Sequence, residues 1–200
     1  MRMGKKMRII SILMSITVIA ATLGFATFAL TQNNSSVNYD GSLNISGNAD
    51  IDVSVAFFEV GSGVAQFSIT ADESGIVETQ GDAVVKTVSD VANIENYSIE
   101  TKPVLDPASS YKFVVTVNNP SPENEGEAYV DALIKTLEFS ATGTFGEYYE
   151  VINPVLGDGV LENGASLTYT IFINAKEYNK DLDYNNIDFT YNLNIVAEKA

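Results

Sequence analysis

The hydrophobic positions of this chain follow two patterns. From Ile9 to Tyr39 no side chain is charged, and Ile9, Ile10, Ile12, Leu13, Ile16, Val18, Ile19 and Leu23 make an apolar stretch. Beyond it, apolar and polar residues alternate in short runs. "DIDVSVAFFEV" sets Ile51, Val53, Val55 and Phe57 on one face with Asp52 and Ser54 opposite, and "VAQFSIT" repeats this with Ala65, Phe67 and Ile69. Gly61-Ser62-Gly63 separates the two runs, so together they predict a β-hairpin. "YKFVVTVNN" alternates through Tyr111, Phe113, Val115 and Val117, and "SLTYTIFIN" through Leu167, Tyr169, Ile171 and Ile173. The cleanest run is "IDFTYNLNIVA", with Ile187, Phe189, Tyr191, Leu193 and Ile195 on one face and Asp188, Thr190, Asn192 and Asn194 on the other. A period of two with one oily face is the signature of a half-buried antiparallel strand.

The stretches between these runs are rich in turn residues: "LDPASS", "NNPSPENEGE", "NPVLGDG" and "LENGAS". Many short strands punctuated in this way predict an all-β fold, an antiparallel β-sandwich or jelly-roll-like domain following an N-terminal hydrophobic signal helix. Two segments fit less simply. "KTVSDVANIENY" has room for a turn of helix. "EAYVDALIKTLEF" suits either period, and is read as a strand with Tyr129, Leu133, Leu137 and Phe139 on one face. "VLDPASSYKFVVTVNN" and "VLENGASLTYTIFINA" echo each other, either as an internal repeat or as two turn-then-strand units of one sandwich.

The N-terminal segment is organised for export. Arg2, Lys5, Lys6 and Arg8 precede the oily stretch, and a basic start followed by an apolar run is an export signal. Its length also suits an uncleaved anchor, since about 20 apolar residues span a bilayer. Thr27-Phe28-Ala29 puts small residues at the −3 and −1 positions of a cut between Ala29 and Leu30, and this flank favours cleavage. The expected organisation is a signal peptide or signal anchor over 1–29, an extended segment over 30–42 and a β-sandwich over 43–200.

Composition narrows the chemistry. Beyond residue 29 there remain 7 of the 11 basic residues against all 26 acidic ones, a formal charge of −19. Such a chain is repelled by nucleic acid and by anionic lipid, so membrane contact is expected only through the N-terminal helix. It has no cysteine, so neither disulfides nor thiol chemistry is available. It has no histidine either, which excludes H-E-x-x-H zinc sites, Ser-His-Asp triads and any imidazole base. About 170 residues suffice for a core that buries roughly 70% of the unfolded surface.

Three clusters carry candidate chemistry. "DLDYNNID" supplies Asp181, Asp183, Asn185 and Asp188, oxygen ligands at the spacing a hard cation such as calcium takes. As an EF-hand it fails, because Asn186 stands where the turn needs Gly and Asn192 where the bidentate Glu belongs. The expected cofactor is therefore none, with calcium the one candidate. "NPSPENEGE" groups Glu123, Glu125 and Glu127 in what reads as a proline-stiffened solvated loop. "ATGTFGEYYEV" offers Phe145, Tyr148 and Tyr149 beside Glu147 and Glu150: a sugar-gripping strip, or a strand with one core tyrosine and one half-exposed.

The seam "LGFATFALTQNN" resembles the site at which SipW-type signal peptidases process the TasA/camelysin-like family, with Leu30 standing where that family's aromatic follows the cut. "VLENGASLTYTIFINAKEYNKDLDYNNIDFTYNLNIVA" resembles the same family's C-terminal part. The resemblance implies a secreted, extracellular structural protein with a jelly-roll-like domain, assembling into biofilm-matrix fibres as an N-terminal segment of one subunit completes the sheet of the next. Leu30, Val37, Tyr39, Leu43 and Ile45 are the expected assembly residues, and signal peptidase and self-association the expected partnerships. Two other readings stand beside it: a membrane-anchored surface module binding a glycan or protein, and a metalloendopeptidase like those camelysin is labelled as. No catalytic residues are expected.

Overall fold

The computed structural model describes residues 38–89, 94–120, 130–184 and 187–200. The hydrophobic segment, Ala29, Leu30, Val37, Asn185 and the Glu123–Glu127 cluster lie outside these residues. Twelve strands are present among them: β1 (Asn38–Gly47), β2 (Asp52–Glu59), β3 (Phe67–Asp72), β4 (Gly75–Gln80), β5 (Ala83–Ser89), β6 (Ile94–Ile99), β7 (Tyr111–Asn118), β8 (Ala132–Gly143), β9 (Tyr149–Ile152), β10 (Val160–Leu161), β11 (Ser166–Ala175) and β12 (Asp188–Lys199). One short helix, α1 (Phe145–Tyr148), links β8 to β9.

The strands form two sheets, ordered β10-β8-β12-β1-β6 and β5-β4-β3-β2-β7-β11-β9. Their apolar faces meet: Phe113 of the larger sheet packs on Phe139 and Tyr191 of the smaller, at ring-centroid distances of 5.6 and 6.2 Å. This is the β-sandwich expected from alternation. The inward residues of β2, β7 and β12 are those read from the period of two, with Val53, Val55, Phe57, Tyr111, Phe113, Val115, Val117, Phe189, Tyr191, Leu193 and Ile195 all buried. The predicted hairpin is β2–β3, in register from Val53↔Ala71 to Phe57↔Phe67. The two echoing segments lie side by side as β7 and β11, antiparallel from Tyr111↔Ile173 to Asn118↔Ser166.

Four details differ from the sequence reading or add to it. First, the two ends of "KTVSDVANIENY" belong to β5 and β6, while residues 90–93, where a turn of helix is expected, lie outside the described residues. β6 hides its strand character because it is bulged: its pairing to β1 slips between Leu43↔Tyr97 and Ile45↔Ile94. Asn96 takes the left-handed conformation there, at φ 56°, which asparagine tolerates better than most residues. Second, "EAYVDALIKTLEF" is a strand from Ala132 onward, but Leu133 and Leu137 do not share a face. β12 pairs Val196 with Thr136 and Ala197 with Ile134, so Lys135 is an extra residue that reverses the alternation. Ala132 and Ile134 point inward before this bulge, Leu137 and Phe139 after it. Third, Phe145, Tyr148 and Tyr149 are all buried, so neither a sugar-gripping strip nor a half-exposed tyrosine exists at that place. Fourth, the expected boundary at 42/43 falls inside β1, whose Tyr39, Leu43 and Ile45 are core residues.

Candidate functional site

β1 is the first described strand and is an inner one. It runs parallel to β12 from Asn38↔Asp188 to Gly47↔Ala197, and antiparallel to β6 on its other side. Every other strand pair is antiparallel. The seat is specific along its length. The Tyr39 ring stacks on Phe189 at 5.2 Å and its hydroxyl donates to the Pro103 carbonyl. Leu43 is fully buried. On the solvent side, Ser42 Oγ and Asn44 Nδ2 donate to Asn192 Oδ1 at 3.3 and 3.1 Å. Gly41 is required opposite Tyr191, since a Cβ there would stand 2.2 Å from the tyrosine ring. β1 ends at Gly47, whose φ of +116° suits glycine and whose Cβ would meet the Ala197 carbonyl. Asn48 and Ala49 amides then donate to that same carbonyl at 3.1 and 3.3 Å, and residues 48–51 carry the chain across to β2 in the other sheet.

The terminal strands of the sheets are short or bulged, but two of them leave much of their neighbour's edge uncovered: β10 pairs β8 only at Ala132 and Leu133, and β9 pairs β11 only from Phe172 to Ala175. β10 has two residues and β9 four. β5 and β6 are longer, but each has a bulge: Glu78↔Lys86 is followed by Thr79↔Val84, leaving Val85 extra. Short or bulged edges are how sandwiches discourage unwanted strand addition.

Of the four calcium candidates, Asn185 lies outside the described residues. Asp181 and Asp183 lie exposed in the loop between β11 and β12, while Asp188 opens β12. The backbone of Asp188 is held by Thr144, whose amide and hydroxyl donate to its carbonyl at 2.9 and 3.0 Å. Among the described residues no group of three or more acidic side chains comes together as a metal site.

Sequence reasoning missed the most unusual polar group. Glu78 points inward from β4 and is fully buried. The Tyr97 hydroxyl and the Glu100 amide donate to its Oε2 at 2.8 and 3.1 Å, and the Thr101 amide donates to Oε1 at 2.5 Å. Burial pushes its pKa up, but the bonds from Thr101, Tyr97 and Glu100 outweigh burial and hold the carboxyl below the ordinary 4.5. Burial first, then the bond to Glu78, drives the Tyr97 phenol well above its ordinary value. Lys86, the cross-strand partner of Glu78, sits 4.6 Å over the Tyr97 ring and 2.9 Å from Glu100. The cluster ties β4 of one sheet to β6 of the other and works as a clamp. The signal for it was an acid at an inward phase of "GIVETQ", two residues after Ile76.

Between the sheets lies a cavity of about 20 Å³, lined by Tyr39, Phe57, Phe113, Phe139, Tyr149 and Tyr191 among others. The Tyr149 hydroxyl at this level is buried without a hydrogen-bond partner. The space is about that of a single water, too small for an organic ligand.

No family model, curated protein or solved structure matches this chain.

Proposed function

We propose that this chain is a secreted structural protein of the TasA/camelysin-like kind, a fibre subunit of an extracellular matrix. In this reading signal peptidase frees the chain after Ala29, and β1 of one copy takes the seat between β12 and β6 of the next. The observation that carries the reading is the placement of β1. A strand near the start of the chain lies between two strands remote from it in sequence, and reaches its own sequence neighbour β2 only through residues 48–51. Three of the five expected assembly residues, Tyr39, Leu43 and Ile45, make its buried face. The identical β1 of another copy would complete the same ladders, an exchange that swaps like for like. Exchange into the seat of β1 supplies matched side-chain contacts as well as main-chain hydrogen bonds, and so fixes register. Donor and acceptor are different surfaces, so the contacts run head to tail and need not close. A formal charge of −19 beyond residue 29 opposes association, so assembly should quicken as salt screens it.

The test compares chains starting at residue 30 and at residue 48 by electron microscopy and light scattering. The longer chain is expected to form fibres. The shorter one is expected to stay unassembled and to bind a peptide spanning residues 38–47, with the Leu43→Asp peptide failing to bind. Identical fibres from both chains, or no assembly of the longer chain at any salt or pH, would refute the exchange.

A further inference from the structure

Two tyrosines of the loop between β11 and β12 pile onto a third from α1, and neither the clamp nor β1 uses them. Tyr148, on α1, is buried at the base of the pile and donates from its hydroxyl to the Asp183 carbonyl at 2.7 Å. Tyr184 meets it edge-on, at 5.1 Å and 70°. Tyr178 then lies flat on Tyr184, at 5.1 Å and 21°. The loop is braced around this pile. The Asn179 amide donates to the Tyr184 hydroxyl at 2.9 Å, the Asp181 amide to Asn179 Oδ1 at 3.0 Å, and the Leu182 amide to the Asn179 carbonyl at 3.1 Å. Tyr178 thus has one ring face fixed against protein, while the residue as a whole remains 79% exposed.

We propose that Tyr178 is a stacking platform for the pyranose face of an uncharged polysaccharide. A sugar ring has an apolar C–H face and a rim of hydroxyls, and the site has the matching arrangement. One face of the ring is backed by Tyr184, which leaves the other free to meet a sugar. Around it Glu177, Asn179, Lys180 and Asp181 are exposed. They supply acceptors and donors for sugar hydroxyls. The chain's strong negative charge excludes anionic polymers. This site is independent of strand exchange, and would fasten a subunit or a fibre to neutral matrix glycan.

The experiment uses the full chain with insoluble cellulose and chitin, and with polygalacturonate as the anionic comparison. Co-sedimentation is one readout. Tyrosine fluorescence on adding soluble oligosaccharides is the other, direct because the chain has ten tyrosines and no tryptophan. Retention on a neutral polymer is expected, weakened about tenfold in Tyr178→Ala and kept within about twofold in Tyr178→Phe, which preserves the ring. The proposal is overturned by absence of retention on either neutral polymer, by equal retention of Tyr178→Ala, or by tighter binding to polygalacturonate. It is overturned too if Tyr178→Ala abolishes self-association and leaves glycan retention intact, which would make the pile a protein contact.

Discussion

β1, of ten residues, and β5, of seven, both mix serine with apolar residues, yet they stand in opposite situations. β1 has a partner on each side and an aromatic core beneath it, and its Tyr39, Leu43 and Ile45 are buried. β5 pairs only with β4, and its Val84 and Val85 are 62% and 44% exposed. The difference shows that a strand's position in the sheet, more than its composition, decides what its apolar residues contribute. A valine with open space on one side loses little when removed, whereas a leucine packed from every side leaves a hole.

The largest expected effect follows directly. Leu43→Ala should cost about 3 kcal/mol in denaturant unfolding, as for other fully buried leucines. Val84→Ala should stay within about 0.5 kcal/mol. Equal losses at the two positions would break the contrast.

An intermediate effect is expected where β4, the neighbour of β5, meets the opposite sheet. Glu78→Gln keeps the shape but loses the charge-assisted acceptor, and should cost about 1–3 kcal/mol near neutral pH. The folded-state pKa of Glu78 is lowered, so its contribution is present above the unfolded carboxyl range and is lost as pH falls through the folded value. The unfolding curves of the parent and the variant should therefore converge in acid. A gap that stays constant down to the most acidic pH at which the parent folds would argue against the clamp.

The smallest effect is expected at the β11–β12 loop. Calcium should leave Tm essentially unchanged, because a ligand stabilises by mass action only where it binds the native state. A clear rise that disappears in the Asp181→Ala, Asp183→Ala double variant would make the loop a cation site.

What could be read from the sequence depended on the regularity of each strand. β2, β7 and β12 alternate without interruption, each with one face on the core, and their inward residues were legible one by one. β8 and β6 carry bulges, at Lys135 and near Asn96, and one added residue inverts a period of two. β5 gave no alternating signal, since its burial pattern has no buried position at all. The Glu78 clamp was hidden because an acid in a short run reads as solvent-facing, and only the fold brings the Thr101 and Glu100 amides to it. The tyrosine pile was half visible: Tyr148 was noticed, but Tyr178 and Tyr184 join it only through the course of a loop. The parallel pairing of β1 with β12 joins segments that no local pattern connects.

That pairing also sets a timetable. Ser42 meets Asn192 across a sequence separation of 150 residues. The smaller sheet therefore cannot close until β12 has been synthesised and released, and its closure must overcome the entropy of a very long loop. Folding governed by such distant contacts is slow. A growing chain with β1 made and β12 still missing has no complete seat for β1. The smaller sheet should stay open, its β1 and β8 without the strand that joins them, until β12 arrives.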